Sequence, residues 1–303
     1  YFIIKGGKFM DSTSTKIGIY KKTSQEAIDN FKLSKSLVNL LMKEPFYSRI
    51  IRSLNKVETQ RIPTAGVLHK DGEITLWWNR EFLASLSGKE RIGLLKHECL
   101  HLVYGHTGER RKEPHLIWNY STDLAINSII PKEELPKGGL IPGESLPSLS
   151  QEEMSNMTND SINNYLYISK VISSLPKNKT SEYYFKILND NEKFKESCNS
   201  LNCSSPLGFD SHDGWDELSD EEKEMIKAKI EEITKEAIQE ANSNGWGSIP
   251  MVHQKYLNKR FSRKIKWQEI LKRFCGFTRK NERISSNKRL SRKYPFIQPG
   301  VKK

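Results

Sequence analysis

The stretch LLKHECLHLVYGH, residues 94–106, constrains this chain more than any other. It holds His97, Glu98 and His101 in the spacing H-E-x-x-H. Residues four apart lie on the same face of an α-helix. A helix here therefore puts both imidazoles where one metal ion can take them, with Glu98 beside them to act on a bound water. The flanks favour that helix. Ser87 and Glu90 form an S-x-x-E capping box, and Ile92, Leu95, Cys99 and Leu102 recur at helical spacing. Gly105 marks the stop, and a third histidine, His106, follows at once. The competing reading is a surface helix with incidental histidines.

The rest of the chain sets the frame for that helix. Its 303 residues suit one large domain or two small ones, and 36% hydrophobic content allows a core. No apolar run approaches the roughly 18 residues of a membrane span. The opening YFIIKGGKFMDSTSTK is too short and polar for a signal peptide, and Met10 offers a start of its own. Cys99, Cys198, Cys203 and Cys275 are scattered without a C-x-x-C pair, which fits a reducing cytoplasm. The net charge of +12 is uneven. Residues 255–303 hold 17 Lys and Arg against Glu269 and Glu282, whereas residues 1–254 are slightly acidic. A basic segment of this kind suggests an anionic partner, either nucleic acid or an acidic protein surface, or else a merely solvated tail.

In chain order, residues 24–55 read as helical, capped by Ser24 and divided at Pro45. Residues 61–79 change to strand character around Asp71-Gly72, predicting a β-hairpin that leads through a short helix at 80–86 into the H-E-x-x-H helix. His69, beside the turn, reads as a surface residue. LIWNYSTDLAINSII, ended by Pro131, is a second helix on which Asn119, Asp123 and Asn127 form a row at i, i+4 and i+8. Such a polar row needs a polar neighbour if buried, and ligand histidines would supply one. Residues 131–160 carry turn signals and read as a long loop or boundary, and 161–175 as a short helix. Residues 176–217 look polar and irregular, with His212 among Asp210, Asp213 and Asp216. Ser219 and Glu222 cap a long packing helix that ends at Asn244-Gly245. Trp267, Ile270, Leu271 and Phe274 suggest one more helix before an extended end.

Taken together, the hairpin with ITLWWN, LLKHECLHLVYGHTGERR, WNYSTDLAIN, SHDGW, and the run from GSIP through IKWQEILKRF to RLSRKYPFIQPG resemble a known family. It is the predicted metallopeptidase domain that precedes a von Willebrand A-like domain in bacterial and phage proteins. The resemblance covers most of residues 35–300, and its most specific part is H-E-x-x-H-x-x-x-x-H followed by W-N-x-x-x-D-x-x-I-N. The sequence stops where the A-like domain would begin. The string Asp11-Ser12-Thr13-Ser14-Thr15 stands at the wrong end, so a stand-alone peptidase-like domain is expected. An AAA+ ATPase partner is implied by the resemblance only.

These readings combine into one set of expectations. The fold is α+β: a mainly helical, zincin-like domain with a small hairpin or sheet beside the H-E-x-x-H helix. Residues 1–23 form a tail, 24–254 the domain, and 255–303 a basic segment packed on it or extending from it. The expected cofactor is Zn²⁺ and the expected function is peptide hydrolysis, with Glu98 as the base that activates a zinc-bound water. His97 and His101 are metal ligands. His106 is the expected third, because the chain can turn back at Gly105. Asp123 is the rival, reaching in from the next helix, and the loser would orient a ligand histidine. Tyr104 is read either as an oxyanion stabiliser or as packing. The alternatives are a non-enzymatic metal-binding scaffold, against which an intact Glu98 argues, and a protease acting on nucleic-acid-bound proteins with the basic segment as anchor.

Overall fold

The computed structural model describes residues 24–202 apart from 71, 107 and 109, then 219–261, residue 271, and the strands at 284–290 and 299–302. His212 and the SHDGW stretch lie outside the described residues, as do Asp11–Thr15 and nearly all of the helix expected around Trp267.

The fold is α+β and mainly helical. Three helices come first: α1 (Gln25–Asp29), α2 (Leu33–Lys43) and α3 (Pro45–Ser53). Ser24 caps α1, and Pro45 opens α3, where the missing N–H costs nothing. Strands β1 (Asn55–Glu58), β2 (Ala65–Lys70) and β3 (Glu73–Trp78) follow. The expected hairpin is β2–β3, paired from Ala65↔Trp78 to Lys70↔Glu73, with Gly72 at a positive φ of 70° in its turn. Strand β1 pairs parallel to the other side of β3, so the order is β1-β3-β2. All four β1 residues are exposed, and this strand has no alternation by which the sequence could announce it. His69 departs from expectation. It points inward from β2 with 4% exposure, and burial pushes its pKa down to about 4.

After α4 (Arg80–Ser85) comes α5 (Gly88–Tyr104), which carries the histidine pair. Its capping box is complete: the Glu90 N–H donates to Ser87 Oγ, and the Ser87 N–H donates to Glu90 Oε2 at 2.8 Å. Gly105 ends it in the left-handed region at φ 67°. From Gly93 to Tyr104 every residue of α5 is buried, because α2, α3, the later helices α6 (His115–Asn127) and α11 (Asp220–Asn244), strand β2 and a 3-10 turn at Lys132–Glu134 all pack against it. The closest approach is at Gly93, where a Cβ would stand 1.9 Å from the Glu134 carbonyl oxygen.

Burial on all sides forces α5 to satisfy even its charged residue internally. Lys96 is fully buried, and its Nζ donates to Glu44 Oε1 at 2.7 Å, Glu134 Oε2 at 2.5 Å and Ser248 Oγ at 2.8 Å. Glu44 Oε2 in turn accepts from the Ser248 N–H. This network ties α5 to the α2–α3 junction, the 3-10 turn and the segment after α11. Removing one member of a buried pair of this kind typically costs about 3–5 kcal/mol, since the other charge is left uncompensated.

The long stretch after α6 contributes to the core. Leu135, Leu140 and Leu146 are buried there, ahead of α7 (Gln151–Ser155) and α8 (Asn159–Ser173). Residues 176–217, read as irregular, contain two helices, α9 (Ser181–Asn189) and α10 (Glu192–Asn202). Each buries only a few side chains, Tyr184 and Leu188 from α9 and Phe194, Cys198 and Leu201 from α10. So sparse a stripe falls below what periodicity can resolve. These residues join Ile117, Tyr120 and Leu124 of α6 and Tyr165, Ile168 and Ile172 of α8 in one apolar cluster. Helix α11, with the expected capping box at Ser219 and Glu222, lies along α3, where Arg49 pairs with Glu236 and Arg52 with Glu240. Helix α12 (Met251–Phe261) follows.

The chain divides into two units, Tyr1–Arg260 and Phe261–Lys303. Helix α12 spans positions 254 and 255. Within the second unit, β4 (Ile284–Leu290) and β5 (Pro299–Lys302) pair antiparallel, with a register shift between Ser286 and Leu290. No helix among the described residues is long and apolar enough to cross a membrane.

Candidate metal centre

Two helices build the site. On α5, His97 and His101 stand one turn apart, their ring centroids 4.6 Å from each other and their Nε2 atoms 2.9 Å apart. On α6, Asp123 directs Oδ1 to the same point, 3.2 Å from His101 Nε2 and 3.6 Å from His97 Nε2. Among the described residues, these three form the one group of His, Cys, Asp and Glu whose ligand atoms all lie within 4.8 Å of one another.

The spacing fits a metal ion. Ligands held at about 2.0–2.1 Å in a tetrahedral site stand roughly 3.3 Å from each other. The three separations, 2.9, 3.2 and 3.6 Å, straddle that value. The donor set fits as well. Two imidazole nitrogens and a carboxylate oxygen converge here, each a group that can ligate a divalent cation. Protonation follows the same logic. Burial, then the neighbouring His97, pushes the His101 pKa down to about 4 against the smaller opposing pull of Asp123. Burial alone would raise the Asp123 carboxyl, but the hydrogen bond from His101 and the charge interactions with both imidazoles outweigh that and hold it well below the ordinary carboxylate range. Both groups are thus in the deprotonated forms that bind metal at neutral pH.

The other expected site residues are arranged around this trio. Glu98 is fully buried on the same turn of α5, leaving the helix about 100° round from His97. The His101 side chain is fully buried, whereas His97 and Asp123 keep 11% and 13% exposure. His106 is turned elsewhere. Its Nε2 stands 2.9 Å from Ser181 Oγ at the start of α9, its carbonyl accepts from Trp118 Nε1, and its ring meets that of His101 edge-on at 5.4 Å. Of the two rivals for third ligand, Asp123 is therefore the one whose ligand atom stands at the histidine pair. Tyr104 stacks on His106, and its Oη lies 2.8 Å from His253 Nδ1 of α12.

Three contributors were not singled out from the sequence: Ser181, His253 and the carbonyl of Leu140. The first two carry no motif, and a backbone carbonyl leaves no residue-type signal at all. Asn127, one turn beyond Asp123, did show in the polar row. Its Oδ1 is 2.9 Å from His97 Nδ1 and its Nδ2 donates to the Leu140 carbonyl at 2.9 Å.

Comparison with known proteins gives the chain a family. A Thermotoga maritima protein bearing the description "Uncharacterized protein" is 25% identical over 273 residues, covering 88% of this chain. The chain spans 64% of that relative's length. No solved structure matches the chain. A family described as "Putative metallopeptidase domain" matches residues 29–302, a span that includes the histidine pair, Glu98 and Asp123. With all but its first 28 residues and Lys303 inside that match, the chain belongs to this metallopeptidase-domain family.

Proposed function

We propose that the protein is a zinc-dependent peptidase whose metal is held by His97, His101 and Asp123 and whose general base is Glu98. The observation that carries this reading is the convergence of two imidazole nitrogens and one carboxylate oxygen in a buried pocket, with a carboxylate as the neighbour of the first ligand. Two histidines and a carboxylate make a donor set used for catalytic zinc, which leaves a coordination position for substrate or water. When bound, zinc acidifies a water and polarises a carbonyl.

The rest is done by the chain's own residues. Asp123 brings one negative charge, so a divalent ion in the site keeps net positive charge for work on the substrate. Glu98 takes the proton of the attacking water and passes it to the leaving amine. His106, held by Ser181 and packed edge-on against His101, fixes the position of a ligand ring. A peptide enters from the side of His97 and Asp123, the less buried ligands. Two buried free thiols, Cys99 and Cys198, suit a reducing compartment.

Chelation tests the proposal. Incubated with a denatured protein mixture, the purified chain should release new amino termini. Removing the metal with a chelator should abolish that release, and stoichiometric zinc should restore it. Release that continues undiminished after complete metal removal contradicts the proposal.

A further inference from the structure

Asn127 does more than fill the polar row of α6. Its amide has two chemically distinct ends, and the structure fixes which end faces which neighbour. A carbonyl can only accept, so the end of Asn127 at the Leu140 carbonyl is the NH₂ group. The end facing His97 Nδ1, 2.9 Å away, is therefore the amide oxygen, which can only accept. It follows that His97 carries its proton on Nδ1. A neutral imidazole with Nδ1–H has its lone pair on Nε2, the atom aimed at His101 and Asp123.

We infer that Asn127 is a positioning residue that sets the tautomer of His97, and that the Leu140 carbonyl is what sets Asn127. This rests on the metal site proposed above and adds to it a chain of three groups: Leu140 C=O, Asn127, His97.

The surroundings hold the chain in place. Asn127 is buried on the last turn of α6, four residues after Asp123, so one helix supplies both a ligand and the group that orients another ligand. Leu140 is anchored by its own side chain, which is buried with Ile117, Tyr120 and Leu124 of α6. A Cβ at Gly139 would be 3.3 Å from the Pro136 carbonyl and 3.8 Å from Asn127 Nδ2. The stretch after the 3-10 turn, which reads as a loop or boundary in the sequence, is on this account part of the metal site.

The acceptor is also a neutral amide. A carboxylate in its place would add charge to the imidazole and make His97 a stronger donor. With Asn127 there, the group behind His97 adds no charge of its own.

The test reads the tautomer directly in metal-free protein, so it does not depend on peptidase activity. Nitrogen NMR of the histidine rings, with His97 assigned by its loss in His97→Ala, should show Nδ1–H in the wild type. Asn127→Leu, close in size but unable to accept, should lose that preference and lower zinc affinity by about 10- to 100-fold in competition with a chromophoric chelator. Asn127→Asp, which still accepts from Nδ1, should keep the tautomer. An Nε2–H ring in the wild type overturns the inference even if the variants do not fold. So does an Asn127→Leu protein that weakens zinc binding while His97 stays Nδ1–H, since that effect would be structural. If zinc binds but the tautomer is wrong, the inference fails while the peptidase reading stands. If no zinc binds at all, the metal site itself has failed.

Discussion

Glu98→Gln should fold normally, keep its metal and lose peptide hydrolysis by about 10²- to 10⁴-fold, the range associated with removal of a general base. The substitution keeps size and shape at a position that is fully buried, so gross repacking is not expected. It removes the negative charge and the ability to take a proton, and puts an amide NH₂ in place of one oxygen. Retained metal is expected because the convergent ligand atoms belong to His97, His101 and Asp123. Circular dichroism, zinc content and release of new amino termini from a protein mixture check the three parts separately. Equal activity in wild type and variant would mean that cleavage does not use this carboxylate. Loss of metal together with activity would make Glu98 a ligand instead of a base.

The second large effect concerns the third ligand. Asp123→Asn replaces the anionic oxygen that stands 3.2 Å from His101 Nε2 with a neutral amide. Zinc affinity should fall by more than about 100-fold, beyond the range of a group that only orients a ligand. His106→Ala should cost less, about 10- to 100-fold, because its Nε2 is at Ser181 and its contact with the site runs through the edge of the His101 ring. A chromophoric chelator titrated against each variant gives both affinities. If His106→Ala strips the metal and Asp123→Asn retains it, the ligand roles are reversed, in the order that the turn at Gly105 suggests from sequence alone.

Why the sequence points to His106 while the distances favour Asp123 has a local explanation. A sequence displays neighbours along the chain, and His106 follows α5 immediately. Gly105 does turn the chain in the left-handed region, as expected. The turn then delivers the His106 ring to α9, a helix that the polar stretch after residue 176 hides. Asp123 lies a whole helix away, and its approach depends on how α6 packs on α5, which no spacing reveals. What was legible is what depends on local chemistry: the capping boxes at Ser87 and Ser219, the Gly72 hairpin, the Pro45 break and the i, i+4 histidine pair. What was hidden lacks a local signature. Strand β1 is short and exposed along its length. Nothing in the sequence beside Lys96 announces its partners Glu44, Glu134 and Ser248, which come from three distant segments. Asn127 showed as part of a row that needed a polar neighbour, but the partner behind it is a backbone carbonyl, which any residue at position 140 would offer.

The account turns on a metal ion held between α5 and α6, and elemental analysis of the purified chain measures that most directly, with wild type beside His101→Ala. His101 is the fully buried member of the trio and has contacts to both other ligands, so its loss should be the most damaging. The predicted result is about one zinc per wild-type chain and little or none in the variant. A wild-type protein that holds no zinc even after zinc is supplied, or a variant that holds as much as wild type, would contradict it.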